Sequence, residues 1–149
     1  MLGKMLNIED EREIQFLLAH YVHYLDAADG PRWAALFTQD GRWIRRNAAP
    51  VEQGGSGIAA GVRQGRAELA ALAEFSVQNF KGLCRHQMTD VVLWQGADAG
   101  TAEGKCRMII SDFRHGPGRV AMAGSYDLSF TRTPEGWRIA ALSADFLPR

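Results

Sequence analysis

From Leu83 to its end the chain reads as four strand-like runs, joined by connections too short for the chain to cross a sheet. Those connections are GADAG at 96–100, HGPG at 115–118 and PEG at 134–136. Strands joined so tightly run antiparallel. The third run alternates: Val120, Met122, Tyr126, Leu128 and Phe130 share one face, while Ala121, Ala123, Ser125, Asp127 and Ser129 share the other. A sheet with one apolar face needs a second layer to cover it.

The first half of the chain supplies that layer. Asn7 is a favoured helix N-cap, and Glu9, Asp10, Glu11 and Glu13 place negative charge where the helix dipole accepts it. Ile14, Leu17, Leu18, Tyr21, Leu25 and Ala28 follow at spacings of three and four, an amphipathic helix that ends at Asp29–Gly30. Pro31 opens a short second helix with Trp33, Leu36 and Phe37 on one side. A turn at 39–41 leads into a short strand, 42–46. A third helix runs from about Arg66 to Asn79 with Leu69, Leu72 and Ala73 inward. Residues 47–65, rich in Gly and Ala and without periodicity, read as a long loop. The order is helices first, then an antiparallel sheet, which is an α+β domain spanning 1–149.

Charge and composition remove several function classes. Lys plus Arg number 17 and Asp plus Glu number 17, so the basic excess that nucleic acid or an anionic membrane demands is missing. No apolar run approaches the ~20 residues of a membrane span, and the N-terminus turns acidic before any signal core forms. A cytoplasmic protein is expected, with Cys84 and Cys106 as free thiols. The glycines of 47–65 lack the strand, Lys-Ser/Thr and helix of a phosphate loop. His20 and His23 lie on the outer side of the first helix and His115 in a turn, so no metal ligand set is expected, and no cofactor.

His86 sits inside the first long strand, on the same parity as Cys84, Met88, Val92 and Trp94. A buried imidazole requires partners, and a carboxylate holds its tautomer best. Asp26, at the end of the first helix beside the apolar stripe, is the candidate. Tyr21 lies five residues earlier, roughly 140° around the helix and about 7.5 Å along it.

YVHYLD (21–26), DGPRWAALFTQDG (29–41), the Arg85–His86 pair and EGWRI (135–139) together resemble the SnoaL-like branch of the nuclear transport factor 2 fold, over about residues 8 to 145. The resemblance implies a cone: a curved, mostly antiparallel sheet wrapped over three helices, with a pocket open at one end. Dehydratases and a dehydrochlorinase of this kind pair an Asp from the end of helix one with a His from this strand, which Asp26 and His86 match. A Tyr five residues before the Asp, found in the bile-acid dehydratase, is matched by Tyr21. Arg45 stands where steroid isomerases carry their carboxylate base, and MIISDF (108–113) lacks the second His of scytalone dehydratase.

The chemistry expected is elimination or isomerisation without a cofactor, on a small hydrophobic cyclic or polyketide-like molecule. His86 takes a proton from carbon with Asp26 behind it, and Tyr21 donates to a carbonyl or a leaving hydroxyl. Arg45, with Trp43, is a candidate holder of an anionic oxygen, and Met88 and Tyr126 are further candidate substrate contacts. The alternative is a non-catalytic ligand-binding or assembly domain resembling a ring-hydroxylating dioxygenase small subunit. Relatives associate across the outer sheet face, which implies a homo-oligomer (a dimer, or else a trimer) through Trp94, Ile109 and Phe113.

Overall fold

The computed structural model describes residues 3–47 and 58–147. Helix α1 spans Ile8–Asp26, with Asn7 accepting a hydrogen bond from the Asp10 N–H at its start. Helix α2 spans Gly30–Ala34 and is capped by Asp29, whose side chain accepts from the Arg32 N–H. Helix α3 spans Arg66–Asn79. Gly30 marks where α2 approaches α3, since a Cβ there would lie 2.6 Å from the Ala70 carbonyl oxygen.

Six strands form one mixed sheet: β1 (Phe37–Arg45), β2 (Gly61–Gln64), β3 (Cys84–Gln95), β4 (Thr101–Asp112), β5 (Arg119–Thr133) and β6 (Gly136–Leu147). Their order across the sheet is β2-β1-β6-β5-β4-β3, antiparallel except where β1 runs parallel to β6. The sheet is not closed. The expected α+β cone, three helices against a curved sheet, is therefore the architecture found.

Register shifts interrupt β1, β3, β4–β5 and β5–β6, and each such bulge bends its strand and sharpens its twist. Two of them reverse alternation that the sequence carries unbroken. Past Asp90, which takes φ +53°, Val92 and Trp94 pair with Lys105 and Glu103 on the outer face, so they leave the face that holds His86. In β5 the shift falls at Ala121, which turns inward while Val120 becomes exposed, contrary to the shared face expected for Val120 and Met122.

Two boundaries differ from expectation. Phe37 begins β1 rather than closing the second helix. Residues 61–64, within the expected 47–65 loop, form β2 on the free edge of β1, because Gly61 and Gly65 allow the positive φ angles that turn the chain in and out. The expected loop between them and β1 lies outside the described residues from 48 to 57. Among the described residues no helix is long and apolar enough to cross a membrane.

The core lies between α1, α3 and the inner face, centred on Ile14, Leu18, Leu69, Met108, Leu128 and Ile139. Asp10 fastens the start of α1 to the far end of the sheet, accepting from Trp137 Nε1 at 3.0 Å and from Arg132 at 2.6 Å. At the opposite end Asp112, the last residue of β4, takes a two-pronged contact from Arg114 at 2.9 and 2.8 Å, and Arg114 also donates to the Asn79 carbonyl at the end of α3. The site lies where the end of α1 crosses β3.

Candidate active site

Asp26 is the last residue of α1, and β3 passes beneath that helix end. Its carboxylate meets the His86 ring at 2.6 Å, Oδ1 to Nδ1, and the His86 backbone N–H at 3.1 and 3.2 Å. A carboxylate at a helix C-terminus faces the unfavourable end of the dipole, and these N–H donors supply the compensation. Because Nδ1–H is the donor to Asp26, Nε2 carries the free lone pair. The His86 side chain is 3% exposed.

His86 lines a hollow under the sheet, together with Tyr21 and Leu25 of α1, Trp33 of α2, and Trp43 and Arg45 of β1. Leu72 and Ser76 of α3, Ile58, and Ile110, Met122, Tyr126 and Phe146 of the sheet complete the wall. Its volume is about 30 Å³, room for one or two water molecules. Asp26 is not in the wall. It reaches the hollow through the imidazole, which makes it a positioning residue.

Tyr21 is fully buried, and its hydroxyl accepts from Trp43 Nε1 at 3.1 Å. It also hydrogen-bonds the Tyr126 hydroxyl, with the two rings edge to face at 6.3 Å. Burial raises the pKa of both phenols well above the usual tyrosine value, so both stay protonated. Arg45 is 2% exposed. Its guanidinium stacks over Phe146 at 4.7 Å and donates to the Asn47 carbonyl at 2.5 Å, while burial lowers its pKa. Arg46, one residue on, faces outward and pairs with Asp127 at 2.8 Å.

Of the residues singled out from sequence, His86, Tyr21, Trp43, Arg45 and Tyr126 meet at one hollow. Met88 does not. It lies in a separate groove with Leu18, Val22, His23 and Val91. Two residues along a strand is a step of about 6.6 Å, enough to carry Met88 from the end of α1 to its flank.

The sequence of the SnoaL-like domain family matches residues 7–143. The chain belongs to this SnoaL-like family. Solved structures with the same architecture include a nuclear transport factor 2-like protein with a cystatin-like fold from Novosphingobium aromaticivorans. It is 24% identical, with a TM-score of 0.77 over 95% of this chain and 84% of that one. Aln2 from a Streptomyces species is 19% identical, with a TM-score of 0.78 over 95% and 94%. LinA is 17% identical, with a TM-score of 0.73 over 93% and 86%. At such identities the likeness concerns the fold. None of the curated proteins matches the chain.

Within this SnoaL-like domain, Cys84 is a site residue that reading for an acid–base pair passed over. Its Sγ, a carboxylate oxygen of Asp26 and a ring nitrogen of His86 lie within 4.8 Å of one another, close enough to grip a cation. As built, the grip is occupied by the protein's own protons. Burial, and then the Asp26 charge, push the Cys84 thiol up to about 11, and Nδ1 already holds its proton against Asp26. The signal was present in the sequence, since Cys84 and His86 share strand parity. Trp33 was also passed over: its buried indole N–H has no acceptor among the described residues.

Proposed function

We propose that the chain is a cofactor-independent lyase or isomerase that removes a proton from a carbon beside a carbonyl, in a small hydrophobic cyclic or polyketide-like molecule. The observation that carries the reading is the 2.6 Å contact of Asp26 with His86 Nδ1, which turns Nε2 toward the hollow as a base. In a dehydration, Nε2 takes the proton and the C–H electron pair becomes the new C=C bond. The hydroxyl on the adjacent carbon leaves with its own electron pair and recovers the proton from the imidazolium as water. Asp26 stabilises that imidazolium, and Tyr21 donates to the oxygen on which charge develops. Acid–base assistance of this kind is worth about 10²–10⁴ in rate.

A hollow of about 30 Å³ does not hold a ring, so a ligand enters by displacing part of the wall. The side made by Ile58, Leu72 and Ser76 gives way more readily than the hydrogen-bonded sheet opposite. The same narrowness favours the second reading, a binding or assembly domain without turnover. A panel of β-hydroxy ketones, β-hydroxy thioesters and β,γ-unsaturated ketones separates the two. Turnover by the wild type that is lost in His86→Ala and strongly reduced in Asp26→Asn supports the enzyme. Binding that is equal in all three proteins, with no turnover, supports the binding domain. Self-association through the outer sheet face belongs to the same proposal, with a dimer expected by light scattering and a monomer at micromolar concentration counting against it.

A further inference from the structure

We propose that Cys84, His86 and Asp26 form a zinc-binding site behind the imidazole, outside the hollow, and that the bound ion switches His86 off as a base. The binding stands independently of the lyase or isomerase reading, and only its effect on turnover rests on that reading.

Cys84 and His86 are two apart on β3, so their side chains leave the strand on one face, and the end of α1 brings Asp26 to both. The Cys84 Sγ, a carboxylate oxygen and a ring nitrogen lie within 4.8 Å of one another. Around a tetrahedral zinc, with bonds of about 2.0–2.3 Å, such atoms stand roughly 3.3–3.8 Å apart, so shifts on the order of 1 Å close the set. One of these shifts opens the 2.6 Å contact between Asp26 Oδ1 and His86 Nδ1. Oδ1 can be given up to the ion because Oδ2 keeps the His86 backbone N–H at 3.1 Å. Thiolate, imidazole and carboxylate are zinc donors, whereas magnesium and calcium take oxygen. Charge agrees, since two anionic ligands neutralise the ion, and of the arginines that act on Cys84, Arg114 is already paired with Asp112. Asp26, with 16% of its side chain exposed, is the way in from solvent, and the fourth position is left for water. On binding, the Cys84 thiol proton goes to solvent and the S–H electron pair becomes the S–Zn bond. Nδ1 gives up its proton, that proton returns on Nε2, and the lone pair so freed binds the ion. The nitrogen facing the hollow then carries a hydrogen and is no base, so zinc is an inhibitor of this site and not its cofactor.

Cobalt(II) alone reports on the site, because a thiolate ligand gives it a charge-transfer absorbance that nitrogen and oxygen ligands do not. The full chain, with its thiols reduced, is expected to bind cobalt with that band, and zinc to displace it. Cys84→Ser should abolish the band, Cys106→Ser should leave it, and Asp26→Asn should weaken binding by about tenfold or more. A wild type without the band, a band that survives Cys84→Ser, or one lost in folded Cys106→Ser overturns the proposal. The wild type alone gives a second readout should Cys84→Ser not fold. In long-range ¹H–¹⁵N spectra the zinc-loaded protein should carry the His86 proton on Nε2, and a ring that keeps it on Nδ1 overturns the proposal. Where a panel compound is turned over, zinc should stop the reaction and a chelator restore it, and turnover by the loaded protein overturns the switch. Metal binding without turnover of any compound removes the reaction and keeps the site, whereas turnover without metal binding removes the site alone.

Discussion

Asp26→Asn isolates the contact on which the site depends, because it keeps the shape of the side chain and removes its charge. In the wild type one carboxylate oxygen lies 2.6 Å from His86 Nδ1, and the two oxygens together hold the His86 backbone N–H at 3.1 and 3.2 Å. An amide offers one acceptor and one donor. With its oxygen on the backbone N–H, its NH₂ faces Nδ1, which must then be the bare nitrogen, and the ring proton moves to Nε2. The hollow then receives an N–H where the wild type presents a lone pair. Loss of a charge-assisted bond costs about 1.5–3 kcal/mol, which for a chain of this length lowers Tm by roughly 5–10 °C. Reversal of the tautomer costs more, about 10⁴ in kcat by analogy with a triad aspartate replaced by asparagine. KM should change little, since Asp26 is not in the wall. The tautomer can be measured without a substrate. In long-range ¹H–¹⁵N spectra at mildly alkaline pH, wild-type His86 should show a protonated Nδ1 and a bare Nε2, and Asp26→Asn the reverse. A wild-type spectrum with the proton on Nε2 refutes the reasoning, because the nitrogen facing the hollow is then no base.

Acid should unfold the protein partly through Asp112, whose contact with Arg114, the strongest of several, holds its carboxyl far below the usual range. A depressed folded pKa gives stability that is present above the ordinary value of 3.8 and lost as pH falls below it. Asp112→Asn should therefore cost about 2–3 kcal/mol at neutral pH and flatten the acid limb of a denaturation series, and an unchanged slope refutes the assignment. Cys84 and Cys106 are buried, with thiols pushed up to about 11 and about 12. Their contribution is full below the ordinary value of 9.0 and is lost as pH rises through the folded values, so native protein should resist a thiol reagent until denaturant exposes both. Met122→Ala opens the wall of the hollow at a cost of about 2–4 kcal/mol. It should increase affinity for 4-nitroanisole relative to wild type, and an unchanged affinity means the probe binds elsewhere.

The helices and the four-strand run were legible because periodicity reports burial directly: Arg66–Asn79 is α3 to the residue, and every turn that was expected between β3 and β6 lies between strands. Alternation failed only where a residue was inserted. Asp90 and Ala121 each add one residue to a strand without any change in composition, and each reverses the facing of the residues beyond it, so Trp94 and Val120 look inward on paper and outward in space. Pairing across elements was legible for a different reason. Asp26 sits at a helix end where the dipole opposes it, and His86 sits among residues that exclude water, so each violates a local preference that the other relieves. Met88 violates nothing. Its parity with His86 says that it points inward, but not which part of the inner face α1 covers, and that depends on how α1 crosses β3. The tyrosine–tryptophan network is hidden for the same reason, since Tyr21, Trp43 and Tyr126 each read as ordinary core until three elements bring them to one hollow. What a sequence reveals of such a site is the set of residues under tension with their own surroundings. What it conceals is the set whose role begins only when the layers meet.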